Sequence, residues 1–513
     1  MSNANLFSAL RAAFPAELDT TAIETADGPD SPRHYTWRDL DRATAMIANL
    51  LLSLELPDGA RIAVQTEKSV EALMLYLAVL RAGYVYLPLN TAYQASEIEY
   101  FIGNAEPSVV VCSGRNHGWV SKIAFKAGTH YVFTLNEDRT GTLLDRALHH
   151  SDAHEPAPKH ADDLAAILYT SGTTGRSKGA MLTHGNMLSN AQMLKEFWGW
   201  RPGDVLIHAL PIFHVHGLFV ASHGALLNGS RMIWFAKFEP RAVIARMKEA
   251  TVFMGVPTLY VRMLAEDSLT REACANMRLF LAGSAPLLIE TFEAWRERTG
   301  HTIVERYGMS ETIMLTSNPY HGDPAERKGG TVGRPLPGVQ VRVHDDQGRP
   351  CPADEIGNIE VRGPNVFAGY WRMPEKTKEE FTADGWFKTG DVGRFDAQGY
   401  LTIVGRSKDL IISGGYNVYP AEIEGYLNEM PGVAESAVVG VPHPDFGEAV
   451  VAVVVPRPGA APEADELIAG LKGRIANFKV PKRVFTVPEL PRNTMGKVQK
   501  KLLREQHAAL FTP

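Results

Sequence analysis

The sequence predicts an α/β protein. A large N-terminal domain of doubly wound parallel sheets, with a small β-barrel-like subdomain, precedes a mobile α+β C-terminal domain. Three observations lead there. Apolar strands alternate with helical patterns through the first half of the chain. After about residue 330 the texture shifts to short alternating strands with Gly and Asp turns, and it shifts again after GRSKD at 405–409. A chain of 513 residues is also too long for one hydrophobic core.

The elements follow in order. RIAVQT (61–66) reads as a strand, SVEALMLYLAVLRAG (69–83) as a helix closed by glycine, and YVYLPLN (84–90) as a strand. ASEIEYFIGNAE (95–106) has helical spacing, and PSVVVCS (107–113) is again a strand. The rhythm recurs at AAILYT (165–170), SRMIWFA (230–236), TVFMGV (251–256) and RLFLAG (278–283). Strands separated by helices imply parallel pairing, and ligands of such sheets sit at the carboxyl ends of the strands.

LIHALPIFHVHGLFVASHGALL (206–227) carries no Asp, Glu, Lys or Arg and is long enough to cross a bilayer. Its four histidines and Pro211 argue instead for a buried strand, a turn at the histidines and a buried helix. Farther on, VQVRVHDDQGRP, GNIEVRG and GYLTIVG suggest a small antiparallel barrel or sheet over roughly 331–405. AEIEGYLNEM and ADELIAGLKGRIANF read as helices and VAESAVVGV and EAVVAVVV as strands of a compact final unit. The expected division is therefore 1–407 and 408–513.

Composition excludes several classes. The chain is 45 % apolar and 21 % charged with net charge −6, so no large basic field exists for nucleic acid. Cys112, Cys274 and Cys351 share no metal-ligand spacing. The N-terminus lacks the basic region and apolar run of a secretory signal, so a cytoplasmic protein without membrane attachment is expected.

YTSGTTGRSK (169–178) packs glycines, hydroxyls and a lysine into a loop suited to phosphate. It is not a Walker A loop: Gly172 and Gly175 are too close, and Lys178 is followed by Gly179 rather than Ser or Thr. The longer string YTSGTTGRSKGAMLTHGN resembles the signature of the adenylate-forming superfamily of acyl-CoA synthetases, luciferases and peptide-synthetase adenylation domains. LPIFHVHG (210–217), GSAPL (283–287), ERYGMSET (305–312), GWFKTGDVG (385–393), GRSKDLIISGGYNVYP (405–420) and PRNTMGK (491–497) resemble its later motifs in order.

The resemblance implies two half-reactions. A carboxylate attacks the α-phosphate of ATP to give acyl-AMP and pyrophosphate, and a thiol, here CoA, then displaces AMP. Thr170, Ser171, Gly172, Thr173, Thr174, Gly175 and Lys178 would hold the leaving phosphates. Glu311, with Thr170, would hold Mg²⁺. Gly283, Ser284, Ala285 and the run Glu305, Arg306, Tyr307, Gly308, Met309, Ser310 would enclose the nucleotide, the glycine admitting the purine to the backbone and Tyr307 lying against it. Asp391 would accept both ribose hydroxyls, with Arg406 nearby. Lys408 would be the hinge of the C-terminal domain. Lys497 would bond the attacking carboxylate, and acetylation there would silence it, implying an acetyltransferase and a deacetylase as partners. Gly414, Gly415 and Tyr416 would line the CoA tunnel, gated by His214.

The acid is read from Arg306. A guanidinium beside the reacting centre suits an acid that brings a second carboxylate. The alternative is that Arg306 turns outward and pairs with Glu305 or another acid. His214, Ser284 and Lys237 or Arg241 are further candidate donors, and Met254, Met309 and Met314 would keep the pocket short. ERYGMSET with FHVHG and GSAPL resembles malonyl-CoA synthetases, which implies malonate as substrate with some use of methylmalonate, in a monomer or weak dimer. An acyl-CoA ligase for another short or aromatic acid, and a freestanding adenylation domain loading a carrier protein, remain open.

Overall fold

A computed structural model describes residues 3–28, 31–170, 177–414, 416–472, 474–493 and 496–511. The chain divides into two compact units, one of residues 1–340 and 362–382, the other of 341–361 and 383–513. The sequence suggested a division at Lys408. Instead, the short strands before it cluster with the C-terminal residues, and the segment 362–382 returns to the first unit.

The first unit holds two sheets. In the nine-stranded sheet, Ile303–Tyr307, Leu279–Ala282, Val252–Gly255, Val205–His208, Arg231–Trp234 and Thr21–Thr25 lie side by side in parallel, with short antiparallel strands at both edges. In the seven-stranded sheet, Leu164–Thr170, Val85–Pro88, Arg61–Gln65, Val109–Cys112 and Tyr131–Thr134 are parallel. The helix Val70–Arg81 starts at Ser69, whose side chain accepts from the Ala72 N–H at 3.0 Å, and every residue in it is buried. Its two charged residues are matched: Glu71 accepts from the Tyr35 hydroxyl at 2.6 Å, and Arg81 pairs with Asp41 at 2.9 Å.

The segment 206–227 folds as its histidines suggested. A strand, Val205–His208, leads through the Pro211 loop to a π-helical turn, His216–Ala221, and a helix, Ser222–Leu227, with residues 215–227 all buried. Among the described residues no helix is long and apolar enough to cross a membrane.

Two local expectations need revision. Alternation of strand and helix fails at the phosphate loop: Leu164–Thr170 turns back into the antiparallel strand Lys178–Thr183, with Thr170 opposite Lys178. The loop still leaves the carboxyl end of a central strand, but as a hairpin. In the second unit the helix expected over ADELIAGLKGRIANF spans only Ala464–Lys472.

The second unit carries a four-stranded antiparallel sheet, Gln340–His344, Gly357–Arg362, Phe387–Phe395 and Leu401–Arg406 in that order. A five-stranded sheet centres on the long hairpin Val433–His443 and Gly447–Pro456. Alternate residues of that hairpin face two apolar clusters, one with Ile423, Leu427 and Leu467, the other with Leu490 and Leu503.

Asp204 and Arg278 directly precede the two strands that flank Val252–Gly255 in the nine-stranded sheet, and their side chains are 1 % and 8 % exposed. Arg278 Nε donates to Asp204 at 2.7 Å, and Thr251 Oγ1 and the Arg201 N–H donate to the same carboxylate at 2.8 Å. Burial alone would raise the Asp204 carboxyl; the Arg278 bonds and the other donors hold it below the usual carboxylate value. Arg278→Met, which strands a buried carboxylate, is expected to cost about 3–5 kcal/mol. Urea titration followed by tryptophan fluorescence will measure it. A variant that also carries Asp204→Leu should recover most of the loss, and a midpoint unchanged by Arg278→Met would refute the pair's role.

Candidate active site

The carboxyl ends of three parallel strands converge on one buried cation. Ile303–Tyr307 contributes Arg306, Leu279–Ala282 leads to Gly283 and Ser284, and Val205–His208 leads through the loop to His216. Arg306 is 3 % exposed, so it does not turn outward. Its Nε and one terminal nitrogen have no hydrogen-bond partner among the described residues. Burial pushes its proton affinity down, to about 9, against the pull of the Tyr260 hydroxyl and Glu305, so it remains a cation at neutral pH.

The neighbours explain why the charge stays uncancelled. Glu305 is also buried, and desolvation raises its carboxyl to about 8 despite the Leu287 N–H, which donates to it at 3.1 Å, and the nearby guanidinium. Near pH 7 it is a neutral acid. His216 is 1 % exposed and is held neutral by burial and by Arg306, His214 and His208. Its Nδ1 lies 3.3 Å from Ser284 Oγ, and its Nε2 has no partner among the described residues. Ser284 itself has φ of 71°, a left-handed conformation costly for a serine.

At Gly283 a Cβ would lie 2.5 Å from the Arg306 guanidinium carbon, so the missing side chain makes room for the arginine. His214, the expected gate, is half-buried, with its Nδ1 accepting from the His216 N–H at 3.3 Å. Lys237 is exposed and lines a cavity of about 310 Å³ with Lys68, Pro211 and Arg262, whose lining does not include Arg306. Arg241 is exposed and pairs with Glu266 at 2.6 Å.

The loop after the Arg306 strand carries Glu311. A Cβ on Gly308 would stand 1.8 Å from the Ile313 carbonyl oxygen, and Ile313 is itself left-handed, so the loop is tightly folded. Within it the Thr312 and Ile313 N–H groups donate to Met309 O, and Tyr307 and Ser310 are half-buried. Glu311 is 5 % exposed and accepts from the Tyr370 hydroxyl at 2.9 Å. Lys178 lies 4.3 Å over the same tyrosine ring and 3.5 Å from Glu380. Tyr370 therefore joins Glu311 and Lys178, 133 positions apart in sequence. Thr170 Oγ1 reaches Lys178 O at 3.4 Å. Ser171, Gly172, Thr173, Thr174 and Gly175, expected at the phosphates, lie outside the described residues, as does Gly415.

Among the described residues no cluster of three or more metal-binding side chains exists. A lone buried carboxylate still fits Mg²⁺, which is commonly held by one or two carboxylates together with substrate phosphates.

In the second unit, Asp391 and Arg406 face each other across an antiparallel strand pair, with Arg406 Nε 2.7 Å from Asp391 Oδ1. Burial and Arg406 lower Lys408 to about 8, with Lys497 adding to the effect. Lys497 is lowered by the same causes, against Asp391 and Asp409. Asp409 is bonded by Arg504 at 2.9 Å. Gly414 has φ of 59°, which suits glycine, and Tyr416 is exposed and stacks on Phe478 at 4.7 Å.

Residues 11–371 match the AMP-binding enzyme family and 422–497 match its C-terminal domain. The chain belongs to this family of AMP-binding enzymes. Among solved structures it is similar to ATP-bound MatB from Rhodopseudomonas palustris, 53 % identical over the full length of both chains with a TM-score of 0.96. It is 34 % identical to a malonate–CoA ligase of Arabidopsis thaliana over 98 % of this chain and 89 % of that protein. It is 36 % identical to a probable CoA ligase, CCL8, of Humulus lupulus over 87 % of this chain and 80 % of that protein.

Sequence reasoning chose His214 from FHVHG and passed over His216; it also missed Tyr370. The signal for His216 was its place in an uncharged, buried run, and for Tyr370 the aromatic pair in AGYW.

The sign of the pH dependence follows from Glu305. Below about 8 its carboxyl is neutral and Arg306 acts as an uncompensated cation; above it an adjacent anion competes with any bound carboxylate. The KM for the acid substrate should therefore rise as pH passes through about 8. Glu305→Gln should move that rise to higher pH. Steady-state AMP formation across pH will test it, and an unaltered profile in the variant would exclude Glu305.

Proposed function

We propose that the chain is an ATP-dependent malonate–CoA ligase: malonate + ATP + CoA gives malonyl-CoA + AMP + diphosphate through a malonyl-adenylate. Arg306 carries this reading. A buried guanidinium with unused donors is expensive unless a ligand anion meets it, and a dicarboxylate leaves one carboxylate free after the other reacts. The 34 % identity to the malonate–CoA ligase of Arabidopsis thaliana supports the choice of acid.

Arg306 would grip the non-reacting carboxylate bidentately, with His216 Nε2 as a neighbouring donor while its Nδ1 accepts from Ser284 Oγ. The reacting carboxylate is then fixed in position, which removes much of the entropic cost of bringing two anions together. Glu311 and Thr170 would hold Mg²⁺, which when bound offsets phosphate charge. Lys178 would leave Tyr370 and Glu380 for the departing phosphates. Asp391 would accept the ribose hydroxyls beside Arg406. Lys497 is assigned the attacking carboxylate, and its lowered proton affinity fits a cation surrounded by cations, to which an anionic ligand is welcome. Acetylation of Lys497 would remove that charge. Lys408 is assigned the hinge between domains, and Gly414 and Tyr416 the approach of CoA. Methylmalonate, larger by one methyl, should be a slower substrate, because one such group is worth only about 1–3 kcal/mol in a pocket.

Arg306→Ala is expected to lower kcat/KM for malonate by about 100-fold or more, the effect of losing a charge-assisted contact. Activity with butyrate should hold or rise. Malonate use that survived with no gain for butyrate would overturn the dicarboxylate pocket. Lys497→Ala should slow malonyl-adenylate formation by about 100-fold or more, yet leave CoA transfer from supplied malonyl-AMP within a few-fold. Equal loss in both half-reactions would remove Lys497 from the first step.

A further inference from the structure

Lys68 lies between the strand Arg61–Gln65 of one sheet and the helix that follows it, but its ammonium is spent on the other sheet. Nζ donates to His208 O at 2.9 Å and Phe235 O at 2.7 Å, meets His208 Nδ1 at 3.0 Å, and lies 4.4 Å over the Trp234 ring. Gly217 O can only accept, so the His208 Nε2 at 2.9 Å from it carries the imidazole proton and Nδ1 accepts the third Lys68 bond.

That Nε2–H donates to Gly217 O at 2.9 Å and lies 3.1 Å from Ser222 Oγ. Ser222 donates to the same carbonyl twice, from Oγ at 2.9 Å and from its backbone N–H across the π turn. Gly217 directly follows His216, and a Cβ on it would sit 2.1 Å from the Pro211 carbonyl oxygen, so this peptide has little room to move.

We propose that Lys68 is a positioning residue for the acyl site: by setting the tautomer of His208 it fixes the Gly217 peptide and so aims the His216 imidazole at the non-reacting carboxylate of the acid. The inference rests on the assignment of Arg306 and His216 to that carboxylate. π-helical turns concentrate at functional sites because their wider spacing redirects a side chain, and such a turn must be held from outside. Here the holding donor comes from the opposite sheet. Without Lys68, the His208 proton is free to move to Nδ1, and Gly217 O loses its imidazole donor.

Lys68→Met keeps the length of the side chain and removes the donor. It should raise the KM for malonate about tenfold, the scale of one buried hydrogen bond to a charged group, with kcat within about twofold. The KM for ATP should be unchanged, and the malonate-to-butyrate ratio of kcat/KM should fall about as much as the malonate KM rises. Ser222→Ala, a milder change that removes one donor to Gly217 O, should move the same ratio in the same direction. It stands as the readout if Lys68→Met does not fold. Equal losses with malonate and butyrate would show a structural role only, and an unchanged malonate KM would reject the relay. Arg306→Ala measured alongside separates the two assignments. If it cripples malonate use while Lys68→Met does nothing, the pocket stands and the relay falls. If neither variant affects malonate, both fall.

Discussion

The Arg306 guanidinium is buried with two nitrogens unbonded to any described residue, and the first unit is built to tolerate that. Removing a charge from water costs several kcal/mol after relaxation, and the usual remedy is a buried carboxylate. The nearest candidate, Glu305, is itself desolvated into its neutral form. His216 is kept neutral in turn, partly by the arginine. The site therefore holds one net positive charge in a region of low polarizability, where a ligand anion gains far more than it would at the surface. Gly283 leaves space for the guanidinium, and the Asp204–Arg278 pair ties together the starts of two strands whose ends shape the pocket. Stability is given up at the strand ends and recovered at their beginnings.

The second unit solves a related problem differently. Burial and Arg406 depress the proton affinity of both Lys408 and Lys497, while Asp391 and Asp409 counter only part of the effect. Both acids are engaged, Asp391 with Arg406 and Asp409 with Arg504. Two long, flexible lysines beside a rigid carboxylate–arginine pair suit transient contacts to a charged nucleotide, because a point charge on a flexible stem tolerates changing geometry. The first unit uses a fixed planar fork where one carboxylate must be recognised; the second uses mobile ammonium groups where charge changes hands.

Much of this was legible in the chain. Strand–helix alternation and the apolar run at 206–227 follow from local periodicity, so the parallel sheets and the buried histidine turn could be read directly. Arg306 stood out because a charge in that place needs a reason. What stayed hidden depends on long-range geometry. His214 and His216 are two residues apart, and that His216 is the buried one depends on where the π turn begins. Tyr370 reaches Glu311 only because 362–382 returns to the first unit, which no local pattern signals. That Gly283 leaves room for Arg306 was hidden too, since spacing cannot show what a missing Cβ lies against.

The same limit explains the pairing that does not form. Glu305 and Arg306 are neighbours in sequence, and a solvated turn would let them meet. In a strand, successive side chains point to opposite faces. Glu305 turns toward the Leu287 N–H, and Arg306 lies against Gly283. Both faces of this central strand are covered, so neither side chain can swing round through solvent. Adjacency that would have neutralised the arginine is cancelled by the two-residue period of the backbone. A cation is left facing the pocket and an acid, kept protonated by burial, stands behind it. Selectivity for a second carboxylate is thus fixed by strand geometry before any ligand arrives, and a one-residue slip of register would place the acid in the pocket instead.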